Sequence, residues 1–273
     1  MDDSPIQSAV CVIGHPIAGN PAQFCLSRAL AALEVDWQCL SFDIPPDSLM
    51  AALDGVDVLG FAAALVAFPH PPSIADWLAR RANEPADQWV DGLSRAAAGR
   101  WTGHNFAGEA LARLLQNHSR AIERPLDTCV FLGDQVDFDS LTIPYREQLP
   151  ASRLILRGSN DGFTAPEGPL VLLQPPDRTV RASSAVPVSA IDDAVADLLE
   201  SPDPDSLTLW LSDPMRPWTP SSVATADAIE PSENVISPLD LEVERLLAVI
   251  RCWTGREASR PLLGEAIEEY LGI

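Results

Sequence analysis

The sequence contains no lysine: all 18 of its basic residues are arginine. Lysine is the cation that gives up a proton readily when buried and the amine that forms imines, whereas arginine stays charged and does neither. Mechanisms that need an ammonium as proton donor, or an amine as base or nucleophile, are therefore excluded. A GC-rich codon bias accounts for arginine at surface positions, but not for the loss of a lysine that chemistry requires. Basic charge is also scarce in total, because 39 acidic residues leave a formal net charge of −21. A field of that sign repels phosphate backbones and anionic lipid, which argues against nucleic acid and membrane surfaces as partners. An anionic ligand would need a local cationic pocket. The longest apolar run, Val58 to Phe68, falls short of the ~20 residues that span a bilayer. The opening MDDSPIQSAV lacks the charged-then-apolar profile of a signal peptide. The five cysteines (Cys11, Cys25, Cys39, Cys129 and Cys252) form no CxxC pair and show no metal-ligand spacing. Cys11 and Cys129 lie in apolar, strand-like runs, which predicts buried and inert thiols. Together these absences predict a cytoplasmic location.

What is present is ordinary globular material. The 273 residues are 47% apolar and 21% charged, enough for one large or two ordinary domains. The first hundred residues alternate strand-like with helix-like segments. Val10 to Ile13 reads as a strand, Pro21 to Leu33 as a helix, Trp37 to Phe42 as a strand and Pro46 to Leu53 as a short helix. Val58 to Phe68 reads as one buried strand stopped by Pro69, Pro71 and Pro72, and Ser73 to Ala82 as a helix with a serine cap. A second series follows, with a helix over Phe106 to Asn117 and strands over Thr128 to Leu132, Arg153 to Arg157, Leu170 to Gln174 and Leu207 to Ser212. Leu239 to Trp253 and Leu262 to Leu271 are the closing helices. Such alternation predicts a mainly parallel sheet with helices on its faces. The strand ending at Gly133 stands where a dinucleotide-binding unit makes its first turn.

Four segments in order resemble the shikimate dehydrogenase family. They are Gly14-His15-Pro16-Ile17-Ala18; Phe42-Asp43-Ile44-Pro45-Pro46 with Gly60-Phe61 and Phe68-Pro69-His70; Gly103-His104-Asn105 with Gly108; and Trp253-Thr254-Gly255-Arg256. They span nearly the whole chain. The resemblance implies an α/β fold with a substrate domain of residues 1–105 and 240–273, and a degenerate Rossmann-like domain of residues 106–239. The latter carries a doubly wound parallel sheet, and the C-terminal helices return to the first domain.

The family pairs a lysine and an aspartate that handle the proton as hydride leaves the substrate. On this chain the resemblance places Pro71 at the lysine position and Ala107 at the aspartate position. General acid–base help is worth about 10²–10⁴ in rate. The two serines that hold the substrate carboxylate have given way in the stretch Gly19-Asn20-Pro21-Ala22-Gln23, a binding asparagine corresponds to Leu65, and a binding glutamine to Arg245. The glycine-rich turn reads Gly133-Asp134-Gln135-Val136-Asp137, whose side chains and carboxylates oppose a pyrophosphate. Arg157 falls where the family has an arginine for the 2′-phosphate of NADP, and an arginine at a strand end is also ordinary surface decoration. These substitutions predict a catalytically inactive relative without cofactor that binds another small molecule or a protein partner. The alternative is an NADP-dependent dehydrogenase of altered specificity, acting on shikimate, quinate or a similar compound.

Candidate ligand contacts are Asn20, His70, Asp91, His104, Asn105 and Arg245. His15, His70 and His104, with Asp91 nearby, form an alternative metal or proton-transfer group, set against the reading that they occupy variable positions of their motifs. Glu109 lies two residues along the helix from the aspartate position, on another face. No G-x-S-x-G elbow, phosphate-binding loop or cysteine–histidine pair stands out elsewhere.

Overall fold

A computed structural model describes residues 8–82, 89–96, 99–131, 135–150, 152–155, 168–174, 203–211 and 234–272. Gly133 and Arg157 lie outside the described residues. The described chain forms two compact units, one running to Ala110 and taken up again at Leu239, the other lying between Leu111 and Pro238.

The first unit opens with β1 (Ser8–Gly14), α1 (Ala22–Ala32) and β2 (Trp37–Asp43), followed by a 3₁₀ turn at Pro46–Ser48. Next come α2 (Leu49–Val58), β3 (Ala63–Val66), α3 (Pro71–Ala82), β4 (Gly92–Arg95), β5 (Trp101–His104) and the start of α4 (Phe106–Ala121). Its sheet has the order β2-β1-β3-β4-β5. β1 pairs in parallel with β2 and β3, while β4 runs antiparallel to both β3 and β5. β1 is an interior strand covered on both faces, so it reads as an unbroken apolar run rather than an alternating one. Val10 and Val12 pack with α1 and with the C-terminal helices α6 (Pro238–Thr254) and α7 (Arg260–Leu271). Cys11 and Ile13 face α2 and α3 on the other side.

The second unit contains the rest of α4, then β6 (Thr128–Phe131), α5 (Gln135–Leu141), β7 (Ser152–Ile155), β8 (Leu170–Gln174), β9 (Leu207–Trp210) and β10 (Val235–Ile236). Its sheet is parallel throughout, in the order β10-β9-β8-β6-β7. Phe131 at the end of β6 meets Phe138 of α5 edge to face, with ring centres 5.5 Å apart.

Three sequence expectations change. Val58 to Phe68 is not one strand, because α2 extends to Val58 and β3 occupies only Ala63–Val66. Between them Gly60 adopts a left-handed φ of +76°, its amide donating to Asp57 O and that of Phe61 to Val56 O. That is the hydrogen-bond pattern of a glycine-terminated helix; an apolar run alone does not tell helix from strand. Helix α3 starts at Pro71, not Ser73, and Ser73 N donates to His70 O. Proline is well suited to a first helical turn, where its missing amide has no partner to lose. The antiparallel pair β4–β5 was not visible in the sequence, since GLSR and WTGH carry no alternating pattern.

Gly92 of β4 makes the closest approach in this unit. A Cβ there would lie 2.1 Å from Phe106 Cε2 and 2.4 Å from Cδ2. Phe106 is fully buried and cannot retreat. Gly92→Ala is expected to cost ~1–3 kcal/mol through overpacking. Gly55→Ala, within α2 and with nothing within 4 Å of its Cβ position, is expected to stabilise by ~0.5–1 kcal/mol. Urea midpoints of the two variants should move in opposite directions from the parent.

Candidate functional site

The first unit gathers its polar residues around the N-terminus of α4. The first amides of a helix have no partner within it and must find one elsewhere. Asn105 Oδ1 accepts from Gly108 N at 2.8 Å, as an N-cap residue does. The two amides between them turn to the residue before β4: Asp91 Oδ1 accepts from Phe106 N at 2.6 Å and Oδ2 from Ala107 N at 3.0 Å. Neighbouring strands fix the Asp91 backbone, since Val66 N donates to its carbonyl and its own amide donates to His104 O.

Asp91 is only 2% exposed. Burial pushes its carboxyl pKa above the ordinary value, while Arg245 and the amides of Phe106 and Ala107 pull the other way. Arg245 Nη1 stands 3.5 Å from Asp91 Oδ2, and Glu242 holds the same guanidinium from the far side at 2.8 Å and 2.7 Å. That bidentate grip fixes the plane of the arginine. Asp91, Arg245 and Glu242 thus form one buried charged cluster across 154 residues of sequence.

The side chains of Asn20, His70 and His104 form no hydrogen bond with this cluster. Asn20 Oδ1 accepts from Ala22 N at 2.9 Å at the start of α1. His70 is buried, and its Nε2–H donates to Ile44 O at 2.8 Å. Burial lowers its pKa, and the bond to Ile44 opposes that shift. His15 bonds Asp43 Oδ1 through Nδ1 at 2.9 Å on an exposed edge. His104 is on β5 rather than a loop, with its ring stacked on Phe106 at 5.1 Å and Nε2 at 2.7 Å from Ser94 Oγ. Burial lowers its pKa as well, with Glu109 opposing. The three histidines hydrogen-bond to different partners, and no group of three His, Cys, Asp or Glu among the described residues could hold a metal ion.

Two neighbours of His104 escaped the sequence reading. One is Ser94, and the other is Cys252, whose Sγ lies 3.7 Å from His104 Nε2 and 4.0 Å from Nδ1. Cys252 is exposed, whereas Cys11, Cys25, Cys39 and Cys129 are buried as expected. Burial pushes the thiols of Cys25 and Cys39 up to about 12. Glu242 also escaped notice; its spacing of three before Arg245 on a helix was the available signal. Pro71 and Ala107 stand at the first turns of α3 and α4, and Leu65 is fully buried in the core. Glu109 pairs with Arg251.

The architecture is α/β, with parallel strands in both sheets. No family model matches the chain. A shikimate dehydrogenase (NADP(+)) of Desulfitobacterium hafniense is 30% identical over 125 residues, which cover 45% of this chain and 44% of the relative. The match thus spans less than half the length of that curated protein. Among solved structures, shikimate 5-dehydrogenase from Thermus thermophilus in complex with shikimate aligns over 98% of this chain and all of that one. Its TM-score is 0.59 at 17% identity. The ligand-free 5-ketofructose reductase of Gluconobacter sp. strain CHM43 reaches a TM-score of 0.62 at 15% identity, covering 97% of this chain and 99% of that one. Curated and structural neighbours consistently point to a relation with the shikimate dehydrogenase family, at low identity. No described helix is long and apolar enough to cross a membrane.

Removing the Asp91 carboxylate would leave two buried helix amides without an acceptor and take away one of the two carboxylates paired with Arg245. Asp91→Ala is expected to cost ~3–5 kcal/mol in a denaturant titration, the range for breaking a buried pair. His70 gives a pH signature. Its lowered folded pKa means that the unfolded chain takes up protons first as pH falls below about 6.5, so stability is lost towards acid. His70→Gln keeps a donor for Ile44 O, and its stability should fall less than the parent's between about pH 7 and pH 5.

Proposed function

We propose that this protein is a non-catalytic relative of the shikimate dehydrogenases that binds a different small molecule or a protein partner. One observation carries the reading. The positions that the resemblance assigns to proton transfer hold Pro71 and Ala107, and Ala107 contributes its backbone amide to Asp91. The charged groups beside them, Asp91, Arg245 and Glu242, are engaged with one another and with the start of α4. A proline has no proton to give, and the substitute cation, arginine, holds its proton throughout the working pH range.

The cofactor end supports the same reading. Helix α5 begins at Gln135, which puts Asp137 in its first turn. A nicotinamide dinucleotide needs close backbone approach and positive potential at that terminus. In the sequence the glycine-rich turn reads Gly133-Asp134-Gln135-Val136-Asp137, which brings acidic residues where a pyrophosphate requires glycines, so these residues do not fit the group. The net charge of −21 favours neither nucleic acid nor a membrane surface as partner, and a cytoplasmic protein remains the reading.

A second reading rests on Asp91. Its buried carboxylate lies 3.0 Å from the amide of Ala107, beside the position of the family's aspartate. A carboxyl raised by burial is a candidate general acid, and an NADP-dependent enzyme of altered specificity would use it.

Shikimate oxidation with NAD and with NADP, followed by reduced-cofactor absorbance, separates the two readings. The protein should come from a host without its own shikimate dehydrogenase and be assayed at micromolar concentration. The expected result is a trace indistinguishable from a control without shikimate. Turnover above that control, lost in Asp91→Asn, would overturn the non-catalytic reading in favour of the second.

A further inference from the structure

The resemblance gives Arg245 the position of a substrate-binding glutamine and Ala107 that of the proton-handling aspartate. One atom of the chain meets both residues. Asp91 Oδ2 accepts from Ala107 N at 3.0 Å and lies 3.5 Å from Arg245 Nη1, while Oδ1 accepts from Phe106 N at 2.6 Å. A guanidinium and two successive amides of a helix start, converging on two oxygens, form the arrangement that proteins offer to carboxylate ligands. Charge balance does not require the occupant found there. Glu242 already grips Arg245 at 2.8 Å and 2.7 Å, so Asp91 is a second buried carboxylate on one cation. Helix capping does not require a carboxylate either, since a neutral side-chain oxygen serves, as that of Asn105 does for Gly108.

We propose that Asp91 is an internal ligand: its carboxylate fills an anion seat made by Arg245 and the amides of Phe106 and Ala107, and so keeps carboxylate ligands out. This autoinhibitory contact rests on the family correspondence of positions 107 and 245 used in the non-catalytic reading, and it narrows the class of ligand. A small molecule bound beside the start of α4 presents an uncharged group there, because the cationic place is taken. A free anion competes at a disadvantage with a side chain already attached to the chain, since it must also give up its own translational and rotational freedom. The seat is closed as well as filled: the side chain of Asp91 is 2% exposed and that of Arg245 11%.

The test is to empty the seat and offer a carboxylate from solution. Asp91→Gly removes Cβ along with the carboxylate and leaves room for formate, the smallest such anion. Thermal unfolding of the full chain is followed in sodium formate and in sodium chloride of equal ionic strength. Formate at about 0.2 M should raise the melting temperature of Asp91→Gly by about 3 °C over chloride. The parent and Asp91→Asn, whose seats remain filled, should melt alike in both salts. If Asp91→Gly is unfolded in chloride, formate should restore its far-ultraviolet circular dichroism. An Asp91→Gly chain that formate neither stabilises nor refolds would overturn the proposal. So would an equal response in Asp91→Asn or in the parent, which would put the anion elsewhere. The shikimate assay is read on the parent, so a seat that fails this test leaves a flat shikimate trace and the non-catalytic reading intact.

Discussion

A carboxylate taken out of water must be surrounded by donors, and in this protein that demand organises a whole unit. Asp91 immediately precedes β4, beside the start of α4, and is 2% exposed. Its two oxygens are met by two helix amides and one guanidinium. The helix terminus contributes a partial positive charge as well as the amides, so the interaction is electrostatic and geometric at once. Arg245 comes from α6, near the other end of the chain, and Glu242 holds it in plane. The sheet, α4 and α6 are thereby tied at one buried point. Apolar packing of α6 against β1 brings these groups near each other, and the charged cluster fixes their register. Loss of Arg245 would leave two buried carboxylates without their cation, which is costlier than losing an apolar contact of the same size.

The same arrangement bears on activity. A proton-transfer site needs a group whose charge changes during the reaction and whose partners tolerate the change. Here the carboxylate is a structural anchor for α4, and protonating it would weaken bonds that hold the helix start. His104, on the neighbouring strand, is turned towards Ser94 and Cys252. The polar groups around the start of α4 are engaged in holding the chain together.

Much of the architecture was legible because it rests on short-range signals. β8 runs from Leu170 to Gln174 as the apolar run indicated, and α6 and α7 follow their helical periodicity. Where the signal was ambiguous, the reading failed: Val58 and Leu59 are apolar yet exposed, because Gly60 ends a helix there instead of interrupting a strand. The strands β4 and β5 were missed because β4 is held by pairing with β3, and β5 by pairing with β4, rather than by their own composition. At the site, residue types could be nominated but roles could not. Asp91, Asn105 and Arg245 are named by chemistry alone, whereas capping and ion pairing depend on contacts up to 154 residues apart. Cys252 and His104 are separated by 148 residues and share no motif, so nothing local announces their meeting.

The bond from Ala107 to Asp91 uses the backbone of residue 107 and nothing beyond Cα. Any residue with an amide hydrogen preserves that contact, so the side chain at 107 is released from a structural duty. Proline is the exception, since it alone deletes the donor. Position 107 is therefore an open site for laboratory diversification: a library of side chains can be displayed at the first turn of α4 while the anchor beneath them stays intact.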